Sequence, residues 1–259
     1  MGETDVPGLE RGIAILRLFR RDRTRLAPPE IAAELRIPRS TVHRLLRSLE
    51  TLGLLKEDAD GGFTLGPGVL ALGFEYLASL DIAEVAGPVL ARLRDDIGCS
   101  THLVVLDRAN IVFIARYPAR ASVSSSFGVG FTAPARRTLI GRLLLGDPDP
   151  ALARGYGISD STSGSSLFPK GMIAISTVVR GPQGRIIAGI NATTVAEVFS
   201  AAELRGRLKD RVLGAAAQIA ALLGAPPPGR LPGPRSATTP TRDRAPRRSS
   251  RPHSPTLPR

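Results

Sequence analysis

The chain has 259 residues, 42% of them hydrophobic, enough for one ordinary core or two smaller ones. Its single cysteine, Cys99, excludes an intrachain disulfide framework and points to a reducing, cytoplasmic setting. No run of about 18 apolar residues argues for a membrane span, and the acidic opening "MGETDVPGLERG" lacks the apolar segment of a secretory signal.

The formal net charge of +12 is unevenly placed. Between Arg11 and Lys56, 11 Lys/Arg face 4 Asp/Glu; between Ala225 and Arg259, 8 Arg face 1 Asp. Two basic poles therefore flank a slightly acidic middle, which favours a polyanionic partner such as nucleic acid. With one Cys and three His (His43, His102, His253), no zinc-ligand spacing appears, and neither metal nor cofactor is expected.

The first predicted element is the helix "LERGIAILRLFRR", with Leu9, Ile13, Leu16 and Phe19 turned inward. Next comes a shorter helix in "PPEIAAELRIP", burying Ile31, Ala32 and Leu35. A brief connection through Arg36 and Ile37 leads to a third helix, with Pro38 as its first residue and Gly53 just past its end. At about 100° per residue, Val42, Leu45, Leu46, Leu49 and Leu52 form one apolar stripe. Ser40, Arg44, Arg47 and Thr51 lie opposite, with His43 at the edge.

That spacing is helix-turn-helix. In "GLLKEDADGGFTLG", Leu55 to Glu57 and Phe63 to Leu65 can pair around Asp60-Gly61-Gly62, forming a wing. A helix in the major groove presents its N-terminal half to bases and phosphates. Arg can grip guanine O6 and N7, while hydroxyls and a helix N-terminus suit phosphate. The candidate DNA-binding residues are Pro38, Arg39, Ser40, Thr41, His43, Arg44 and Arg47, with Lys56 on the wing.

A connecting helix is predicted over 67–80, where Leu70, Phe74 and Leu77 make a stripe suited to a partner chain. An amphipathic helix follows from about Ile82 to Ile97. "THLVVLD" and "NIVFIARYP" read as a hairpin joined by "DRAN". "MIAISTVVRGPQGRIIAGINAT" reads as a second, turning at Gly181-Pro182-Gln183-Gly184. A last helix opens on a Ser200–Glu203 capping box, turns Leu204, Leu208, Val212, Ile219 and Leu222 to one side, and stops at Gly224. Helices around an antiparallel sheet make an α+β domain. From Ala225 the Pro-, Arg- and Ser-rich tail has too few apolar residues to order itself.

Several stretches carry a family resemblance: "LERGIAILRLF", "EIAAELRIPRSTVHRLLRSLETLGLL", "FTLGPGVLALG", "GVGFTAPARRTLIGRLLLG", "RGYGISD", "IAIST" and "GRIIAGINAT". Over about 6–224 the sequence resembles the IclR family of bacterial transcription regulators. The resemblance implies a winged helix-turn-helix domain over 6–66, a linker or dimerisation helix over 67–80, and a GAF-like α/β effector domain with an antiparallel sheet over 81–224. The basic tail, 225–259, is extra. It further implies a homodimer or homotetramer on a double-stranded DNA operator, with a small organic or aromatic acid as effector. The family's ligand pocket maps onto Leu139, Ile140 and Gly141, onto Asp160, and onto Met172, Asn191 and Thr193. Apolar walls with a few polar groups would suit a small anion.

Two departures stand out. Pro150 runs straight into Ala151 where the family has a longer stretch, so the effector domain is shortened near 147–155, and "SDSTSGSSLFPKG" replaces an acidic run. The expectation is a pared-down pocket with apolar surface near Leu143 to Leu145 left wet or covered by another subunit. A ligand-independent regulator is the alternative. A GAF-like enzyme is a weaker one: Cys99 lies three residues before His102, but no orienting acid is near and "GISDSTSG" does not fit G-x-S-x-G.

Overall fold

The computed structural model describes residues 6–119, 128–160 and 171–226, with Asp160 described by its backbone only. The predicted tail lies outside these residues from position 227, as does the substituted run at 161–170.

Helix α1, Pro7–Leu18, opens on a proline whose missing N–H costs nothing at a helix start. Helix α2, Pro28–Leu35, starts the same way, and Glu30 Oε2 accepts the Ala27 N–H at 2.6 Å. Arg36, at φ 54°, turns the chain left-handed and sends it into α3, Arg39–Thr51. Val42, Leu46 and Leu49 of α3 pack on Ile15, Leu18, Phe19 and Ile31, the core of a three-helix unit. Strands β2, Leu55–Glu57, and β3, Phe63–Leu65, pair antiparallel with Lys56 opposite Thr64, so the wing forms as expected. A short strand β1, Arg25–Leu26, adds to the other edge of β3 and buries Leu26. Two residues give too little alternation to be seen in sequence.

Three details of this unit differ from expectation. Pro38 is the N-cap of α3, extended at ψ 140°, rather than its first helical residue. Leu52 is 68% exposed, because the helix stops at Thr51 and its last turn passes the edge of the core. The inward face of α1 is Gly12, Ile15, Leu18 and Phe19, while Leu9 and Ile13 stay exposed and Leu16 is half-buried. Gly12 lies over α3, where a Cβ would make an ordinary contact with Leu49.

Helix α4, Gly68–Ala78, buries none of its residues. Leu70, Leu72, Phe74 and Tyr76 are exposed, and Leu77 leans on the following domain. Helix α5, Asp81–Ile97, then leads into a six-stranded antiparallel sheet. Its strands are β4, Ser100–Asp107; β5, Asn110–Tyr117; β6, Thr132–Pro134; β7, Tyr156–Asp160; β8, Met172–Arg180; and β9, Ile186–Val195. The order is β6-β5-β4-β9-β8-β7. Both predicted hairpins are present, and the second turns at Gly181–Gly184. The edge strands β6 and β7 did not stand out as strands in the sequence.

The final helix begins at α7, Ala201–Glu203, with the Ser200–Glu203 capping box in place. It passes through a π turn, Leu204–Leu208, and continues as α8, Lys209–Leu222. Leu204, Leu208, Val212 and Ile219 are buried, but Leu222 is exposed and Leu223 meets the core instead. Ile219 and Leu223 are four apart and share one face, which leaves Leu222 to solvent.

Alternation splits the sheet into two faces. Leu103, Val105, Ile173, Ile175 and Ile190 pack against α5 and α8. Val104, Phe113 and Met172 face the other way, toward α6, Leu139–Leu144. It is this second face that holds the polar residues of interest.

Candidate functional site

Two surfaces bear on function. The first is the outer side of α3. Arg39, Ser40, His43, Arg44 and Arg47 are exposed, as is Pro38 before them; Thr41 is half-buried. Lys56 is exposed on β2. No other part of the described chain covers this side, which leaves the space a duplex would need. The two arginines differ in their surroundings. Arg44 has no ion pair among the described residues, whereas Arg47 Nη1 bonds to Glu50 Oε2 at 2.9 Å and to Glu57 Oε2 at 2.8 Å. Glu57 is on the wing, so Arg47 ties α3 to β2. Asp58 steadies the wing turn, accepting from Arg25 Nε at 2.6 Å and from the Asp60 and Gly62 amides. The Arg25 bond is the main reason the Asp58 carboxyl titrates at about 2.

The second surface is the α6 face of the sheet. Thr138 caps α6, its Oγ1 accepting the Gly141 N–H at 3.0 Å. The Gly141 amide is thereby used within the cap and is not free for a ligand. Gly141 has no room for a Cβ, which would strike the Ala135 backbone. Ile140 is buried over Gly189 of β9, and Leu139 is half-buried over Gly157 of β7; a methyl group on either glycine would overlap these side chains. Met172 is half-buried in the same cluster. Asn191 and Thr193 are buried on β9, and Asp160 ends β7 opposite Ile173. The structure thus gathers these positions on one face, apart from the Asp160 side chain, which lies outside the described residues.

That face contains a polar row that sequence reading overlooked. Pairing aligns Arg116 of β5 with His102 of β4, His102 with Asn191 of β9, and Asn191 with Ser176 of β8. Ser176 Oγ donates to Asn191 Oδ1 at 3.1 Å, and His102 Nδ1 lies 3.3 Å from the Asn191 carbonyl oxygen. Phe113 meets the imidazole edge-on, ring centroids 5.4 Å apart. Burial is the chief reason His102 titrates at about 4, and the Arg116 charge adds to it. Burial also lowers the Arg116 pKa, with the positive charge of Arg21 next. Among the described residues, His102 Nε2 and Arg116 Nε are buried without a hydrogen-bond partner. The available signal was period-2 alternation: Ser100, His102 and Val104 share a face in a strand otherwise read only as apolar.

Cys99 packs in the cluster under α5 and α8, on the side of the sheet away from His102. Burial raises its thiol pKa to about 11. Alternation therefore keeps apart the two residues an enzyme reading would join, and the thiol is held protonated.

The connection at 147–155 is pinned by ion pairs. Arg142 Nε and Nη2 reach Asp147 and Asp149, each at 2.7 Å, and Asp149 accepts the Ala151 N–H. Leu143 and Leu144 are buried, which corrects the expected exposed apolar patch; only Leu145 is open.

A winged helix with an unobstructed arginine face, joined to a sheet domain with a polar inner row, is the construction of a DNA-binding regulator. The comparisons with known proteins agree. The family model for the IclR helix-turn-helix domain matches residues 8–59. The one for the bacterial transcriptional regulator IclR C-terminal matches residues 74–159. The chain belongs to the IclR family of transcription regulators.

Among curated relatives, the Pca regulon regulatory protein of Pseudomonas putida is 28% identical over 247 residues, 84% of each chain. The regulator XynR of Escherichia coli is 24% identical over 249 residues, 85% of this chain and 98% of that one. Of the solved structures, a transcriptional regulator from Rhodococcus sp. RHA1 superposes with a TM-score of 0.71 at 28% identity, over 85% of this chain and 98% of that chain. An IclR homolog from Microbacterium hydrocarbonoxydans, solved with 4-hydroxybenzoate, gives 0.69 at 22% identity, over 83% and 98%. The family comprises regulators, not enzymes. No described helix is long and apolar enough to cross a membrane.

Proposed function

We propose that this regulator acts in the cytoplasm as a homodimer or homotetramer, binding a double-stranded operator and responding to a small organic or aromatic acid. The single observation behind the DNA reading is the open side of α3, where Arg39, Ser40, His43 and Arg44 stand clear of the chain. On this reading α3 lies in the major groove with Pro38, Thr41 and Arg47 at its margins, and Lys56 carries the wing to the backbone. Residues 6–66 form the DNA-binding domain, 67–80 the linker, 81–224 the effector domain and 225–259 a basic tail adding phosphate contacts.

The exposed leucines and aromatics of α4, with Val6, Leu9 and Ile13 of α1, favour a second copy as the partner. The acid would sit on the α6 face of the sheet, among Leu139, Ile140, Gly141, Met172, Asn191 and Thr193, with Asp160 at its rim. The homolog bound to 4-hydroxybenzoate supports an acid of that size. Effector binding would shift the spacing of the paired recognition helices and so change operator affinity.

The test is fluorescence anisotropy on an operator fragment with a panel of organic acids. Saturable release or tightening by one acid is the expected result. Operator affinity that no acid changes would favour the ligand-independent alternative, for which the Arg142-clamped short connection is the motive.

A further inference from the structure

The α6 face holds two polar atoms, His102 Nε2 and Arg116 Nε, that no described residue answers. His102 is 1% exposed, and its Nε2 has no partner among the described residues. Such an atom is rare, because a buried polar group without a hydrogen bond forfeits its hydration with nothing in return. Arg116 stands opposite it on β5, half-buried, with no ion pair among the described residues. Both lie on the sheet face that carries Asn191 and Thr193.

The chemistry of the imidazole can be read from its neighbours. The Asn191 carbonyl oxygen can only accept, so Nδ1 carries the proton and donates. Burial beside the Arg116 cation keeps the ring from taking a second proton near neutral pH. Nε2 is then a lone-pair acceptor, on the edge of the ring away from Nδ1. Arg116 is the reverse: it only donates, and it is positive. A ligand that answers both must bring an anionic oxygen and, separately, a hydrogen-bond donor.

We propose that the effector is a hydroxy acid, its carboxylate held by Arg116 and its hydroxyl donating to His102 Nε2. The inference rests on the acid-effector reading above and narrows it. A plain acid would satisfy Arg116 but leave Nε2 unpaired. A methyl ether would place an acceptor against an acceptor. Asn191 serves the site indirectly, since its backbone carbonyl fixes the tautomer, while Ser176 holds the Asn191 side chain through Oδ1.

Titration calorimetry on the full chain compares the three hydroxybenzoate isomers with benzoate and the three methoxybenzoates, and lactate with propionate. At least one hydroxy acid should bind about tenfold or more tightly than its deoxy and methoxy counterparts. In His102→Asn, the side-chain amide can replace Nδ1–H while Nε2 is deleted; the preference should vanish. His102→Gln, which returns an acceptor, should restore part of it. Arg116→Gln should weaken hydroxylated and plain acids alike. A measurement that needs no variant is the imidazole nitrogen-15 spectrum. Free protein should show the Nδ1–H tautomer, and Nε2 should move upfield when the hydroxy acid binds. Equal affinity for hydroxy, methoxy and plain acids would overturn this inference while leaving an acid effector standing, as would a preference that survives His102→Asn. If no acid in the panel binds, the acid-effector reading fails and takes this inference with it.

Discussion

Arg44 and Arg47 sit one turn apart on α3, and their different surroundings give a sharp prediction. Both are exposed. Arg44 has no ion pair to surrender among the described residues, so a base contact there is gained in full. A bidentate arginine–guanine contact contributes about 1–3 kcal/mol, or roughly fivefold to 150-fold in affinity. Arg44→Ala should therefore weaken operator binding by that factor. Arg47 must first release Glu50 and Glu57, at 2.9 and 2.8 Å, before it can reach DNA. Arg47→Ala should cost clearly less than Arg44→Ala, and Glu57→Gln, which removes one of the two carboxylates holding Arg47, should tighten binding. Anisotropy titrations at one fixed salt concentration measure all three, and thermal melts verify that each variant folds. A second reading comes from salt: loss of a base contact leaves the slope of log affinity against log salt nearly unchanged, whereas loss of a phosphate contact lowers it by about 1. Equal losses for the two arginines, or an unaltered affinity in Arg44→Ala, would refute the reasoning.

Other expectations follow from packing and titration. Leu46 is fully buried beneath α3, so Leu46→Ala should destabilise the DNA-binding unit by about 3–5 kcal/mol, read by chemical denaturation. Gly141→Ala has no space beside the Ala135 backbone, and should lower the melting temperature of the sheet domain while leaving α3 folded by circular dichroism and NMR. His102 titrates at about 4 in the fold and at about 6.5 when unfolded. Between those values the unfolded chain binds the extra proton, so the stability tied to a neutral His102 is complete above about pH 6.5 and drains away toward pH 4. Denaturation across that range should show a slope that His102→Asn reduces. Phe74→Glu places a charge in the exposed apolar face of α4 and should shift the assembly toward monomer in sedimentation.

Much of the DNA-binding half was legible because its signals are local. Pro38 and the Gly61-Gly62 pair mark a helix start and a turn, and the spacing of Val42, Leu46 and Leu49 marks a face. The rotation of α1 was not legible, since Leu9, Ile13 and Leu16 form as good a stripe as Gly12, Ile15 and Phe19. The choice between them is made by packing against α2 and α3, which local spacing does not encode. The strands β1, β6 and β7 are short edges whose pairing depends on distant partners. In the effector domain, the resemblance led to Asn191 and Thr193 but not to His102 and Arg116. Their significance lies in cross-strand register, which places residues 89 positions apart side by side.

The most direct test of the account is methylation interference on sequences selected from a random pool by the full chain. If α3 reads the major groove through its arginines, a two-fold symmetric site should emerge, and methylating guanine N7 within each half should block binding. Recovery of no preferred sequence, or interference confined to adenine N3 in the minor groove, would contradict it.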